Sequence, residues 1–325
     1  MTVLRAPRVR LRLWWTALLV LIALGGAGLS AVADRPQNAL QRPELTWRTD
    51  RNARPWIQAL ADELATVDLR VVDLSGHGRQ VLSQLQALDL EQVRAAQAAG
   101  DEISAALEVT VEDLSVVRAN TLAQIDQSRL GTPTRSALEQ LSSAIVSAQK
   151  VSAHWRALAV DATRVAGLVD ALLSHDGLVS RATTAGRQAE WDDALTLMSQ
   201  AADSLGDATD SRDALAGGSN VATLDDLLVR YRAYDGALAA LYTYVRDTGR
   251  QEGEQFDTLQ LAVEHAHQAL PTDTGTISMI VSEAAGPSLT EALLSIEAVH
   301  TDILDALATL ADLDSDASAE TTPSP

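Results

Sequence analysis

Apolar residues in this chain recur every three or four positions over runs of twenty residues and more, and that spacing leaves little but helix open to it. Ile57, Leu60, Leu64, Val67, Val71 and Leu74 form one run, and the register resumes at Val81, Leu85 and Leu88 after Ser75-Gly76-His77-Gly78. At 3.6 residues per turn these positions make one stripe along a helix, whereas a half-buried strand alternates at every second residue. No alternating run long enough for a sheet breaks the pattern. Phenylalanine occurs once, at Phe256, so Leu, Ala and Val must fill the core, which suits close-packed helices.

Reading the stripes in order predicts the elements. The first helix is expected to open at Pro55, a favoured first helical position. Asp89, with Gln92 three residues on, marks the cap of the second, which presents Val93, Ile103, Leu107, Val111 and Leu114. Gly131-Thr132-Pro133 is a stop and restart. A helix of about 40 residues should follow, from Leu138 to Leu172, closed by His175-Asp176-Gly177. Another spans Ala182 to Leu205. Residues 206–222 are rich in Gly, Ser and Asp and read as a linker. Stripes from Leu224 to Val245 and from Phe256 to Leu270 come next. A short segment at Ile277 to Val281, broken at Gly286-Pro287, precedes a last helix from Leu289 to Leu310.

The expected fold class is therefore all-α, a single N-terminal hydrophobic segment followed by elongated antiparallel helical bundles. The expected division is 1–33 signal peptide or signal anchor, 34–54 juxtamembrane linker, 55–205 first bundle, 206–222 linker, 223–312 second bundle and 313–325 acidic disordered tail. One continuous bundle is the alternative.

Arg5, Arg8, Arg10 and Arg12 precede 21 uncharged residues, Leu13 to Ala33. Basic residues before an apolar stretch keep the N-terminus in the cytoplasm, so the body is expected outside it. The stretch is long enough to span a bilayer as an anchor. Ala31-Val32-Ala33 also fits signal-peptide cleavage, which would release the body. Membrane contact is expected through 13–33 only if that segment is retained. Residues 55–325 hold 16 bases and 41 acids, a field that repels nucleic acid and anionic lipid. Cysteine is absent, which excludes disulfides and thiolate metal sites.

Two Glu-x-x-His elements stand out, Glu264/His267 and Glu297/His300. On a helix, residues three apart share a face, so each pair can offer a carboxylate and an imidazole to one metal. The spacing resembles the ligand motif of ferritin-like di-iron bundles, which implies a metal site at these four residues and needs further Glu-bearing helices. His300 also falls on a heptad core position, where a hydrogen-bonded structural histidine serves equally. Tyr231, Tyr234, Tyr242 and Tyr244 fall within fourteen residues, beside Arg230 and Arg232. Tyrosine with arginine suits partner or ligand contact, and equally a seam covered by rings. Trp191-Asp192-Asp193-Ala194-Leu195 resembles half of a tetratricopeptide repeat over about a dozen residues. Asp312, Asp314 and Asp316 imitate the start of a calcium loop but lack its glycine and its closing glutamate.

No nucleophile elbow, phosphate loop or dinucleotide fingerprint is present. The expected function is thus a non-catalytic extracytoplasmic helical-bundle protein of the bacterial envelope that uses no cofactor and binds a protein partner through its helical surface. The alternatives are a small-ligand module, similar in layout to the helical sensor domains of bacterial chemoreceptors, and a metal-binding bundle built on the two Glu-x-x-His elements.

Overall fold

The computed structural model describes residues 43–215, 221–249, 251–271 and 274–319, and no strand occurs among them. The apolar segment 13–33 and the expected linker up to residue 42 lie outside the described residues. In order come α1 (Pro43–Gln86), α2 (Leu90–Gln124), a 3-10 turn (Gln127–Arg129), α3 (Thr132–Ala148), α4 (Val151–Arg187), α5 (Trp191–Leu215), α6 (Ala222–Thr248), α7 (Glu254–Gln268) and α8 (Thr274–Ala319). The protein is all-α. The described residues from Arg48 onward form one compact unit.

The stripes are what the helices bury. Ile57, Leu60, Leu64, Val67, Val71 and Leu74 are all buried on α1, and Leu107, Val111 and Leu114 on α2. Asp89 caps α2, its Oδ1 accepting the Gln92 amide at 3.1 Å. One large core takes Leu60, Leu141, Leu168, Leu224, Ile296 and Ile303, so residues of both expected bundles share it. A smaller core gathers Ala182, Ala185, Ala194, Met198, Tyr234, Leu238 and Tyr242.

Several boundaries differ from those expected. Helix begins at Pro43, with Pro55 inside α1 and Gly76 and Gly78 passing through it. The expected 40-residue helix is two, because the chain turns at Gln149-Lys150 between α3 and α4. Conversely, His175-Asp176-Gly177 is helical and α4 runs on to Arg187. Leu215 still belongs to α5, within the expected linker. Pro287 sits inside α8, which continues to Ala319. A proline inside a helix costs it one hydrogen bond and a glycine about 1 kcal/mol, sums that tertiary packing of a long apolar face overrides.

Directional contacts fix the pairing. Ser278 Oγ donates to the Gln86 carbonyl at 2.7 Å, Arg79 meets Glu297, and His300 meets Asp68, so α1 and α8 run antiparallel. Gln97 donates to the Ala159 carbonyl, Trp155 to Asp101, and Ser152 to the Ser104 carbonyl, so α2 and α4 do likewise. Arg118 reaches the Ser142 carbonyl and Gln149 the Ser115 hydroxyl, which sets α3 against α2. Between α4 and α6 the order is the same in both helices: Gly186 lies against Tyr242 and His175 against Asp235. These two helices are parallel, and α5 packs against both.

Close approach decides the fit of α2 on α4. Trp155 is buried, and a Cβ at Gly100 would stand 2.0 Å from its indole. The glycine is the notch that lets the ring in.

Candidate functional site

His175 continues the buried register of Leu168 and Leu172 on α4, so the helix that buries those leucines buries the imidazole too, leaving 1% of it exposed. Facing it on α6, Asp235 lies between Tyr231 and Leu238 on that helix's buried stripe and is 7% exposed. The ring's Nε2 is 2.9 Å from Asp235 Oδ2, and its Nδ1 is 3.2 Å from Asp176 Oδ1. Ionised carboxylates only accept, so both ring nitrogens carry protons and the ring is an imidazolium. Burial opposes that charge. The hydrogen bonds to Asp176 and Asp235, with the attraction of both carboxylates, outweigh it and push the pKa up to about 9.

Tyr231 meets the imidazole edge-on, with ring centroids 4.7 Å apart, and its hydroxyl points to Asp176 Oδ2 at 3.5 Å. Burial, then the Asp176 charge, raises its phenol pKa, so it remains a neutral donor. The cluster sits where the two cores adjoin, since Tyr231 belongs to the large one and Tyr234 to the small one. Two carboxylates around one imidazolium leave a residual negative charge beside α6.

Asp235 also lines a groove of about 490 Å³ between α5 and α6. Leu195, Met198, Ala202, Leu205 and Ala239 form its apolar walls, and Arg232 stands one helical turn before Asp235 on the same face. The Arg232 guanidinium bonds across to the Thr209 hydroxyl on α5. A concave apolar surface with a few convergent polar groups and a perturbed titratable group beneath it has the features of a binding site.

The residues singled out in the sequence go to separate places. Glu297 accepts from Arg79 Nε at 2.9 Å and from Ser75 Oγ at 3.3 Å, while His300 Nδ1 lies 2.7 Å from Asp68 Oδ1. This pair thus faces α1 as a two-rung clasp. Glu264 accepts from Gln268 Nε2 at 3.4 Å, and the His267 ring lies 5.5 Å from that of Tyr234. Both line a different groove, of about 620 Å³, with Leu241, Asp257 and Leu261. Among the described residues no three His, Asp or Glu side chains converge as a metal-ligand set.

Tyr231, Tyr234 and Tyr242 are buried, and Tyr244 donates to the Gln251 carbonyl at 3.1 Å. Burial pushes the Tyr242 phenol up to about 12. The rings therefore serve the cores. Arg230 bonds Asp226 and the Ala269 carbonyl, which ties α6 to the end of α7. Of the tyrosine–arginine group, Arg232 is the member that lines the groove.

His175, Asp176 and Asp235 were not among the residues the motifs picked out. Their signal was a titratable residue on an apolar stripe: His175 follows Leu168 and Leu172, and Asp235 falls between Tyr231 and Leu238. Fold and site together define a helical bundle with an imidazolium locked between two helices beneath an open groove. Compared with known proteins, the chain matches no family model, no curated protein and no solved structure.

Proposed function

We propose that this chain is a non-catalytic helical-bundle protein of the bacterial envelope, held outside the cytoplasm, that binds a protein partner through its helical surface. The observation that carries the reading is where the chemistry-bearing side chains go. His175 bonds Asp235, His300 bonds Asp68, Glu297 bonds Arg79 and Trp155 bonds Asp101, each from one helix to another. These four side chains hold helices together, and the outer faces are what the body offers to a partner. Those faces carry large apolar side chains, among them Leu69 at 68% exposure and Val109 at 62%. Four arginines ahead of 21 uncharged residues support export, with the body tethered by 13–33 or released after Ala33.

Crosslinking in intact cells, followed by capture of the tagged full chain from membranes, tests this. A single protein recovered in near-stoichiometric amount is expected, its yield cut by Leu69→Asp or Val109→Asp. Recovery of the chain alone under crosslinking would contradict the reading. Protease added outside intact protoplasts should degrade the body. Its full protection would place the body inside the cell.

The groove over Asp235 favours a second reading, a small-ligand module outside the cytoplasm. Its volume of about 490 Å³ falls within the range of small-molecule sites, roughly 300–1,000 Å³.

A further inference from the structure

Resting on that second reading, we propose that the α5–α6 groove binds a free α-amino acid with a long apolar side chain, its carboxylate on Arg232 and its ammonium on Asp235. The groove offers one cation and one anion on a single face of α6, at positions three residues apart, whose Cβ atoms lie about 5–6 Å from each other on a helix. An α-amino acid carries both complementary charges on one carbon, so its ammonium can meet Asp235 while its carboxylate meets the long Arg232 side chain. A ligand with only one charge would engage only one of the two groups.

Each polar group has capacity to spare. A guanidinium has five N–H donors, and the bond Arg232 makes across the groove is to the neutral Thr209 hydroxyl. A carboxylate has about four acceptor sites, and both bonds to Asp235 come from one nitrogen, His175 Nε2. The surroundings also carry the right sign. Asp176 and Asp235 together exceed the charge of the single imidazolium between them, which leaves room for a cation at Asp235. The imidazolium in turn holds the Asp235 carboxylate in one orientation before any ligand arrives, so little ordering remains for binding to impose.

The walls specify the rest of the ligand. Leu195, Met198, Leu205 and Ala239 suit an unbranched or γ-branched aliphatic side chain, and the exposed Ser199 hydroxyl at the same groove is a further acceptor for an ammonium. Short polar amino acids would leave the apolar wall wet and should bind less well.

Thermal unfolding of the purified full chain with L-leucine or L-methionine tests the assignment. Ligand that binds only the folded state raises the melting temperature, and at millimolar leucine a rise of a few degrees is expected. N-acetyl-L-leucine lacks the ammonium and L-leucinamide lacks the carboxylate, so neither should reproduce it. Arg232→Gln and Ala239→Leu remove the anchor and fill the groove respectively. Both should keep their ligand-free melting temperature within a degree or two and lose the leucine response. Equal shifts from leucine and its blocked forms, or a response that survives both variants, would overturn the proposal. If leucine and methionine do nothing while another compound class raises the melting temperature in an Arg232-dependent way, the amino-acid assignment falls and the small-ligand reading stands. If a broad metabolite panel leaves the melting temperature unmoved, both fall.

Discussion

At the scale of single residues, His175 links stability to pH. An imidazole free in the unfolded chain titrates near 6.5, and in the fold it is held up to about 9. The folded state therefore binds the proton more tightly. Its stabilisation is complete below pH 6.5 and is lost as pH rises through 9. A shift of that size corresponds to an effect on the order of 3 kcal/mol. Chemical denaturation at pH 6 and pH 10 should show the wild type losing stability and His175→Gln losing that much less. Parallel pH profiles for the two would contradict the assignment. Ala189 supplies a second residue-level test. It closes α4 in the left-handed region, φ 64°, where the Glu190 amide reaches back to the Ala185 carbonyl at 3.0 Å. Its side chain is exposed. Ala189→Gly relieves the Cβ clash and is expected to stabilise by about 1 kcal/mol, read from the denaturation midpoint.

At the scale of elements, what decides the outcome is whether a signal is local. The α1 stripe from Ile57 to Leu74 could be read because each position depends on helical spacing alone, and every member is buried. The turn at Gln149-Lys150 carries no glycine or proline, and Ile145, Ala148, Val151 and Trp155 keep the stripe going across it. Nothing local announces that break. His175-Asp176-Gly177 misleads in the opposite sense. It has the composition of a helix end, yet Asp235, sixty residues later in the chain, supplies the partner that makes helix the better state there. The Glu-x-x-His at 297 and 300 was legible as two side chains sharing a face. That the face meets Asp68 and Arg79 of α1 is set by tertiary packing alone. The α2–α4 contact is equally non-local. Gly100→Ala would drive a methyl group into the Trp155 indole and should cost about 1–3 kcal/mol in unfolding free energy. A neutral result would show that α2 can slide away freely.

At the scale of the whole molecule, a core of Leu, Ala and Val is non-directional and tolerates helices in several registers. Hydrogen bonds from His175, His300, Trp155 and Arg79 to carboxylates on neighbouring helices choose one of them. Polar pairs between packed helices select one arrangement in some systems. The His175–Asp235 pair matters most, because it sits where the large core meets the small one. We expect this pair to make the two cores unfold together. Trp155 reports on the large core, and Trp191, packed against Tyr242 at 5.9 Å, on the small one. The deciding measurement is denaturant unfolding at pH 7 followed by each of these tryptophans in turn, the other tryptophans being replaced by phenylalanine. Coincident midpoints are expected with His175 in place, and separate midpoints, the Trp191 signal moving first, in His175→Gln. Midpoints that already differ with His175 present, or that still coincide in the variant, would contradict the account.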